Sequence, residues 1–502
     1  MWKRRKKQAQ EKKQKELKNK SDETLQTLFE TLKKSDDFKS YQAGSNRYVV
    51  SYLGTLSEPK LINHSILPVL NENVFFTLEE MKNMLPVEDL EITEDPTVVR
   101  EKIMKGYIAI QLKESDVNVL LIPAVTVEGR QVSIPEVEFS VVGPKEAFVE
   151  SLDKNMSLIR KRLTLPQFTM KEVAVGKVTQ TRIGVVYIDG IADPANVNTV
   201  IQRLKDIEYD QIIDSSFITQ MIADNSTSPF PQLLDSERPD RVVEVLVEGK
   251  IAIVVDGSPH VLTCPTTIVE FFSSSDDYFL PWPLASVFRL IRLFAVFFSV
   301  LSTSLYVAIL TYHHEMIPEE LLSTIISSRS DIPFPPILEV IILELTIELL
   351  REAGARLPTK IGQTIGIVGG IVIGTAAVDA GLTSNVLLII VALAALASFT
   401  TPVYQIGNTI RLIRFPFLLG AQMWGLVGVS MVMTFYIGHL IKLKSIGRPF
   451  FAPLYPLRFR DLRDAFIRLP FNTQSERPLQ TRPVDPIRFN RKRASEKRDV
   501  DE

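Results

Sequence analysis

The stretch "IGQTIGIVGGIVIGTAAVDAGL", residues 361–382, carries glycine at 362, 366, 370 and 374 in an apolar run whose one charge is Asp379. Glycine costs a helix about 1 kcal/mol against alanine, so its recurrence every four residues needs a reason. The segment is a membrane helix packed closely on a neighbour, a helix lining a passage, or a glycine-rich loop. Its surroundings weaken the loop reading. Three more stretches read as spans of ~30 Å of hydrocarbon: "LFAVFFSVLSTSLYVAILTY" (293–312), "NVLLIIVALAALASFT" (385–400) and "FPFLLGAQMWGLVGVSMVMTFYIGHLI" (415–441). On a helix, Gly362, Gly366, Gly370 and Gly374 form a slowly winding stripe flanked by Thr375, Ala376 and Ala377. Packing and pore lining both suit such a stripe, and a ring of helices offers both at once.

A further apolar stretch carries charge. "PPILEVIILELTIELLREAGARLPTK" (335–360) holds Glu339, Glu344, Glu348, Arg351 and Glu352. At about 100° per residue, Glu344, Glu348 and Arg351 share one face of a helix. A carboxylate in hydrocarbon is costly, so this face must meet protein, water or headgroups. Either the helix lies in the interface with its acids solvated, or it borders an ion path. Asp379, the one acid between 361 and 441, either caps its helix near a membrane boundary or contacts an ion. Arg289 and Arg292, just before the first span, are expected at the interface.

The 502 residues are 45% hydrophobic with net charge −2, averages that conceal segregation. Residues 1–20 hold ten Lys or Arg against two Glu, and residues 442–502 hold fifteen against eight acids. Basic ends around an apolar block indicate a membrane protein touching anionic lipid, not a nucleic-acid binder. Both ends then lie on the cytoplasmic side, which requires an even number of crossings. Four spanning helices plus an interfacial or re-entrant 335–352 helix meet that requirement. The start of the chain has no apolar run behind its basic residues, so it does not read as a signal peptide. One cysteine, Cys264, excludes an internal disulfide or a cysteine cluster.

Residues 40–280 alternate strand-like and helix-like patterns and repeat themselves. "RYVVSYLGTLSEPKLINHSIL" (47–67) echoes "RIGVVYIDGIADPANVNTVIQ" (182–202), and "KGYIAIQLKESDVNVLLIP" (105–123) echoes "EGKIAIVVDGSPHVLTCP" (248–265). Two related α/β subdomains follow, 40–165 and 166–281, between a basic tail (1–39) and a helical membrane domain (282–441) with a basic tail after it (442–502). In "YIDGIADPANVNTVIQRL" (187–204), Asp189-Gly190 marks a turn, and Asp193-Pro194 a helix cap and first helical position. No Walker loop, dinucleotide fingerprint, nucleophile elbow or zinc-protease motif appears, and the five histidines are scattered. No catalytic, cofactor-binding or metal-binding set emerges, so an enzyme is not expected. In the tail, "RFRDLRDAFIRLP" (458–470) reads as an ion-paired helix docked on a neighbouring surface.

The segments "YIDGIAD", "IVVDGSP", "PFPPILEVIILELTIELLREAGARLP", "IGQTIGIVGGIVIGTAAVDAGL" and "RPFFAPLYPLRFRDLRDAFIRLP" occur in this order. Together they resemble the A subunits of the GerA family of spore germination receptors, over roughly residues 40–470. The resemblance implies a multi-pass protein of the inner spore membrane with a large cytoplasmic domain of two subdomains. It implies a permease-like B subunit and a lipoprotein C subunit as partners. It further implies homo-oligomers that form a channel for monovalent cations, with the passage near the glycine-rich and glutamate-rich helices. A non-conducting scaffold or signalling subunit is the alternative. A sporulation paralogue of the family shares these motifs.

Overall fold

The computed structural model describes residues 24–44, 47–114, 116–125, 135, 138, 143–357, 369–370 and 372–490. The basic start of the chain, residues 1–20, lies outside them. The front of the protein holds two five-stranded antiparallel sheets. One contains β1 (Phe38–Ala43), β2 (Tyr48–Leu53), β3 (Glu91–Thr93), β4 (Tyr107–Gln111) and β5 (Val119–Pro123). The other contains β6 (Phe168–Val175), β7 (Thr181–Ile188), β8 (Leu234–Ser236), β9 (Ile251–Val255) and β10 (Val261–Cys264). The strand orders, β1-β2-β4-β5-β3 and β6-β7-β9-β10-β8, trace the same path twice.

The register repeats too. Val50 faces Ile110 and Val185 faces Ile253, the residues that the sequence echo aligns. Phe38 opposite Leu53 has its counterpart in Phe168 opposite Ile188. Ile110 pairs with Leu120 but Ile253 with Leu262, so the second hairpin is one residue shorter. A slip of one residue would move every strand side chain to the opposite face of its sheet, so equal registers are a strong sign of equal design.

Both faces of each sheet are covered, because alternate strand residues point to opposite sides. The first sheet carries α1 (Leu25–Leu32), α2 (Leu67–Glu72), α3 (Leu78–Met84) and α4 (Pro96–Ile103). Helices α1 and α4 meet Phe38, Leu53 and Leu121, while α2 and α3 meet Val50, Ile110 and Leu120. On the second sheet lie α5 (Leu152–Arg162), α6 (Pro194–Lys205), α7 (Ser215–Ile222) and α8 (Pro239–Val247). Ile183 and Val185 of β7 face α6 and α7; Val186 and Ile188 face α5 and α8.

A buried ion pair fastens the sheets together. Arg160 of α5 donates to both oxygens of Asp37, at 2.7 and 2.6 Å, and Thr55 adds a bond of 2.8 Å. Burial alone would raise the Asp37 carboxyl, but the Arg160 charge and these hydrogen bonds hold it below the usual range. Beside it, the Asp36 N–H donates to the Met170 carbonyl and the Met170 N–H to Ser35 Oγ, so β6 continues into the first subdomain's turn. Replacing Arg160 with methionine strands a buried carboxylate, and a stability loss of about 3–5 kcal/mol is expected in urea unfolding of the full chain. The Arg160→Met, Asp37→Leu pair should recover much of it.

The second half is helical: α9 (Trp282–Tyr312), α10 (Glu319–Arg329), α11 (Pro336–Arg356), helical residues 372–379, α12 (Asn385–Ser398), α13 (Tyr404–Lys442) and α14 (Phe459–Ala465). Among the described residues, α9 and α13 are long and apolar enough to cross a membrane; α12 is apolar but has 14 residues.

Helix α13 corrects the expected span over 415–441. Trp424 and Gly425 leave helical angles, Gly425 with φ of 57°, and the chain folds back as a hairpin. Phe417 stacks on Tyr436 with ring centres 5.9 Å apart, whereas one straight helix would separate them by about 28 Å. A positive φ suits glycine, and Gly420 against Gly428 lets the two arms touch backbone to backbone. The tip meets the far end of α9, where the Tyr312 hydroxyl donates to the Gln422 carbonyl at 2.7 Å. Both arm bases return to the α/β domain, since Thr409 Oγ1 donates to the Pro229 carbonyl and His439 Nε2 lies 2.8 Å from Ser228 Oγ.

Helix α11 runs lengthwise through this block instead of lying across its end. Glu339 sits beside Ser384, at the start of α12, and Arg351 lies over the Phe399 ring just past its end. Helices α11 and α12 are therefore parallel.

Behind the hairpin the tail returns over the second sheet. The Phe450 carbonyl accepts from the Ile268 N–H, and Arg448 pairs with Asp193 at 2.8 Å. Asp193 also caps α6 through the Ala195 N–H, with Pro194 in the first turn, so that helix start holds the protein's own tail.

Candidate functional site

Three polar layers cross the helical block, all anchored on α11. At the far end, Glu339 Oε1 accepts from Arg329 of α10 at 2.7 Å and Oε2 from the Ser384 N–H at 3.3 Å. In the middle, Glu344 accepts from Arg414 Nη1 at 3.0 Å. The other nitrogen of that guanidinium, Nη2, donates to Ser299 Oγ of α9 and to the Ala394 carbonyl of α12, the latter at 2.8 Å. Near the domain, Glu348 pairs with Arg351 at 3.1 Å and with Arg411 at 3.6 Å.

The middle layer stands out. One arginine, buried to 3% side-chain exposure, joins α9, α11, α12 and the first arm of α13. Arg414 lies ten residues from Tyr404 and ten from Trp424, about 15 Å from either end of its arm. An ion pair at mid-height of an apolar block is costly to form and costly to break. Arg suits the position because its planar fork satisfies a carboxylate and two further acceptors at once.

The acids and the arginine read from the sequence divide accordingly. Glu344, Glu348 and Arg351 do share one side of α11, turned toward α13, but they are not equivalent. Glu344 is buried and tied to Arg414, while Glu348 is half exposed and pairs with Arg351 one turn on. Asp379 is exposed at the opposite end, where Gly381 approaches the Asp331 carbonyl. Gly362 and Gly366 lie outside the described residues. At Gly370 an added Cβ would meet nothing within 4 Å, and at Gly374 only Leu388 at 3.8 Å. Sequence reasoning did not single out Arg411, Arg414, Ser299 or Arg329. The available signal was the unmatched acid Glu344, which required a cation on another apolar helix.

A second charged cluster joins the domain, α9 and the tail. Arg289, expected at the interface, is 1% exposed and pairs with protein acids, Asp277 at 3.3 Å and Asp464 at 3.7 Å. Arg292 shares Asp277 at 3.2 Å. Asp464, from α14, accepts from the Tyr278 hydroxyl at 3.1 Å, so the tail helix docks on the root of α9. Burial pushes its carboxyl up to about 6, against the pull of Arg289. A carboxyl raised in the folded state loses stability as pH rises through about 6 and regains it below. Hydrogen exchange over Phe459–Ala465, corrected for intrinsic rate, is expected to slow from pH 7 to pH 5. Asp464→Asn should remove that dependence. Among the described residues no three His, Cys, Asp or Glu side chains converge as a metal site would.

Fold and charged centre together define a two-sheet α/β protein followed by a helical block that includes two helices long and apolar enough to cross a membrane among the described residues. The chain belongs to the GerA family: the model for the Bacillus/Clostridium GerA spore germination protein matches residues 19–480. It is 49% identical to the spore germination protein GerQA of Bacillus cereus over 93% of this chain and 94% of that one. It is 36% identical to spore germination protein A1 of Bacillus subtilis (strain 168), over 92% and 96% respectively. A crystal structure of the N-terminal domain of the A subunit of the Bacillus megaterium spore germinant receptor GerK3 is 25% identical. It covers 47% of this chain and 91% of its own, with a TM-score of 0.35.

Proposed function

We propose that this chain is the membrane A subunit of a nutrient germinant receptor, and that copies of its helical block assemble around a gated passage for monovalent cations. The observation that carries the proposal is the Glu344–Arg414 pair, a charged lock at mid-height of an apolar block. Intramembrane ion pairs of this kind mark ion paths and switches more often than they add stability. Gly369 lies against Leu350 and Gly381 against the Asp331 carbonyl, so helical residues 372–379 run opposite to α11 and α12. With α9 and both arms of α13, that makes six passages instead of four. An even count leaves the α/β domain and the tail on one side, the cytoplasmic face of the inner spore membrane, where the basic ends belong. A permease-like B subunit and a lipoprotein C subunit complete the receptor.

The same pair also suits a rigid scaffold through which a partner conducts, since Arg414 joins helices of one chain. Gly370 separates the readings. Space is open there within one chain, so Gly370→Leu should leave the unfolding of a single copy unchanged and weaken assembly. Mass measurement of the purified protein in detergent and potassium efflux from liposomes would follow both. A chain that stays monomeric, with efflux indifferent to Gly370→Leu, refutes the conducting reading.

A further inference from the structure

The loop between α7 and β8, residues 223–233, stands between the second sheet and the hairpin. It is stiff: the Asn225 N–H donates to Gln232 Oε1 at 3.0 Å, and Gln232 Nε2 returns a bond to the Asn225 carbonyl. On the sheet side it runs into β8, an edge strand paired with β10. There the Gln232 carbonyl accepts from Thr266 and Ser445, both at 2.6 Å. On the membrane side Phe230 is 6% exposed, its ring 6.3 Å from Tyr436 and 6.0 Å from His439. Tyr436 stacks on Phe417, one turn beyond Arg414 on the opposite arm. Pro229 accepts from Thr409, and Asp235 accepts from Gln405 at 3.0 Å. Phe230 and Leu234 thus belong to the same apolar core as the membrane helices.

The internal repeat supplies the comparison. In the first sheet the matching edge strand is β3, and the residues before it, Leu85, Val87 and Leu90, pack on that sheet's own core. Only in the second repeat is this segment turned toward the helices.

We infer that residues 223–236 are a coupling lever, with Phe230 as the positioning residue, through which displacement of the second sheet reaches the Glu344–Arg414 pair. One loop grips both arms of the hairpin, by Thr409 on the first and His439 on the second. A shift of β8 therefore moves the arms together, and the ring contacts from Phe230, edge-on to Tyr436, to Phe417, stacked on Tyr436, carry it to the turn that holds Arg414. Its service as a gate control rests on the conducting reading above; the mechanical coupling does not.

Hydrogen exchange on the full chain in nanodiscs tests the coupling from the membrane end. The neutral pair Glu344→Gln, Arg414→Gln should raise exchange at the amides of Leu234–Ser236 by about three- to tenfold. Glu91–Thr93 in the first sheet should not change. In a Phe230→Ala background the rise at β8 should vanish. Phe230→Leu keeps the pocket filled and should transmit in part, which covers the case in which alanine prevents folding. Equal exchange at β8 with and without the neutral pair overturns the inference, as does an undiminished rise in both Phe230 variants. Neither result depends on potassium efflux, so the lever and the passage stand or fall separately.

Discussion

Arg414→Gln is expected to lower the stability of the helical block by about 3–5 kcal/mol, the usual consequence of leaving one member of a buried ion pair without its partner. Loss of function through this chain should accompany it. Three contacts go at once: Glu344 loses its counter-charge, and Ser299 and the Ala394 carbonyl lose their donor. Fluorescence of Trp282 at the base of α9 and Trp424 at the hairpin tip offers two positions from which to follow unfolding in denaturant. Glu344→Gln alone should cost a comparable amount, since it leaves the guanidinium unmatched. The double variant should recover most of the loss, because two amides can still hydrogen bond and no charge remains buried. If the two single costs simply add in the double variant, the pair is not the unit described here.

Gly428→Ala is the second large effect. A Cβ at Gly428 would overlap the Gly420 carbonyl and crowd its Cα, all of it backbone that cannot swing away. Overpacking a well-filled core typically costs 1–3 kcal/mol, and a backbone clash exceeds that range, so a loss above about 3 kcal/mol is expected. The hairpin arms must part, which separates Phe417 from Tyr436 and loosens the grip on Phe230. Gly438, on the outer side of the same arm, is the control, since an added Cβ there meets nothing within 4 Å. Gly438→Ala should be neutral or stabilise by up to about 1 kcal/mol through helix propensity alone. Thermal melts of the two variants side by side decide the matter.

Much of the α/β half was legible. Strand alternation, the Asp189-Gly190 turn and the Asp193-Pro194 helix start each depend on local chemistry, and each is found where the residues put it. The repeat was legible because spacing is preserved within each strand, so the residues that pair in one sheet align with those that pair in the other. The helical half was less so. Hydropathy sees 415–441 as one apolar run and is blind to a positive φ at Gly425. The clue was glycine at 420, 425 and 428: Gly425 takes the positive φ of the turn, and Gly420 and Gly428 let the arms meet backbone to backbone. Arg289 read as an interface residue and Arg414 drew no role, because neither has an opposite charge in its own stretch of sequence. Their partners, Asp277 and Glu344, lie 12 and 70 residues away along the chain, beyond any local pattern. Charge pairing across helices is a tertiary fact.

Potassium efflux from liposomes holding the purified full chain reads the gate at Glu344–Arg414 without a partner subunit. The Glu344→Gln, Arg414→Gln variant keeps the helices packed while removing the charged lock. Its efflux is expected to be several-fold above that of the wild-type chain, at equal protein content and equal oligomeric mass. Folded, assembled protein that leaks no more potassium with the lock removed than with it in place would contradict a gate at Glu344–Arg414.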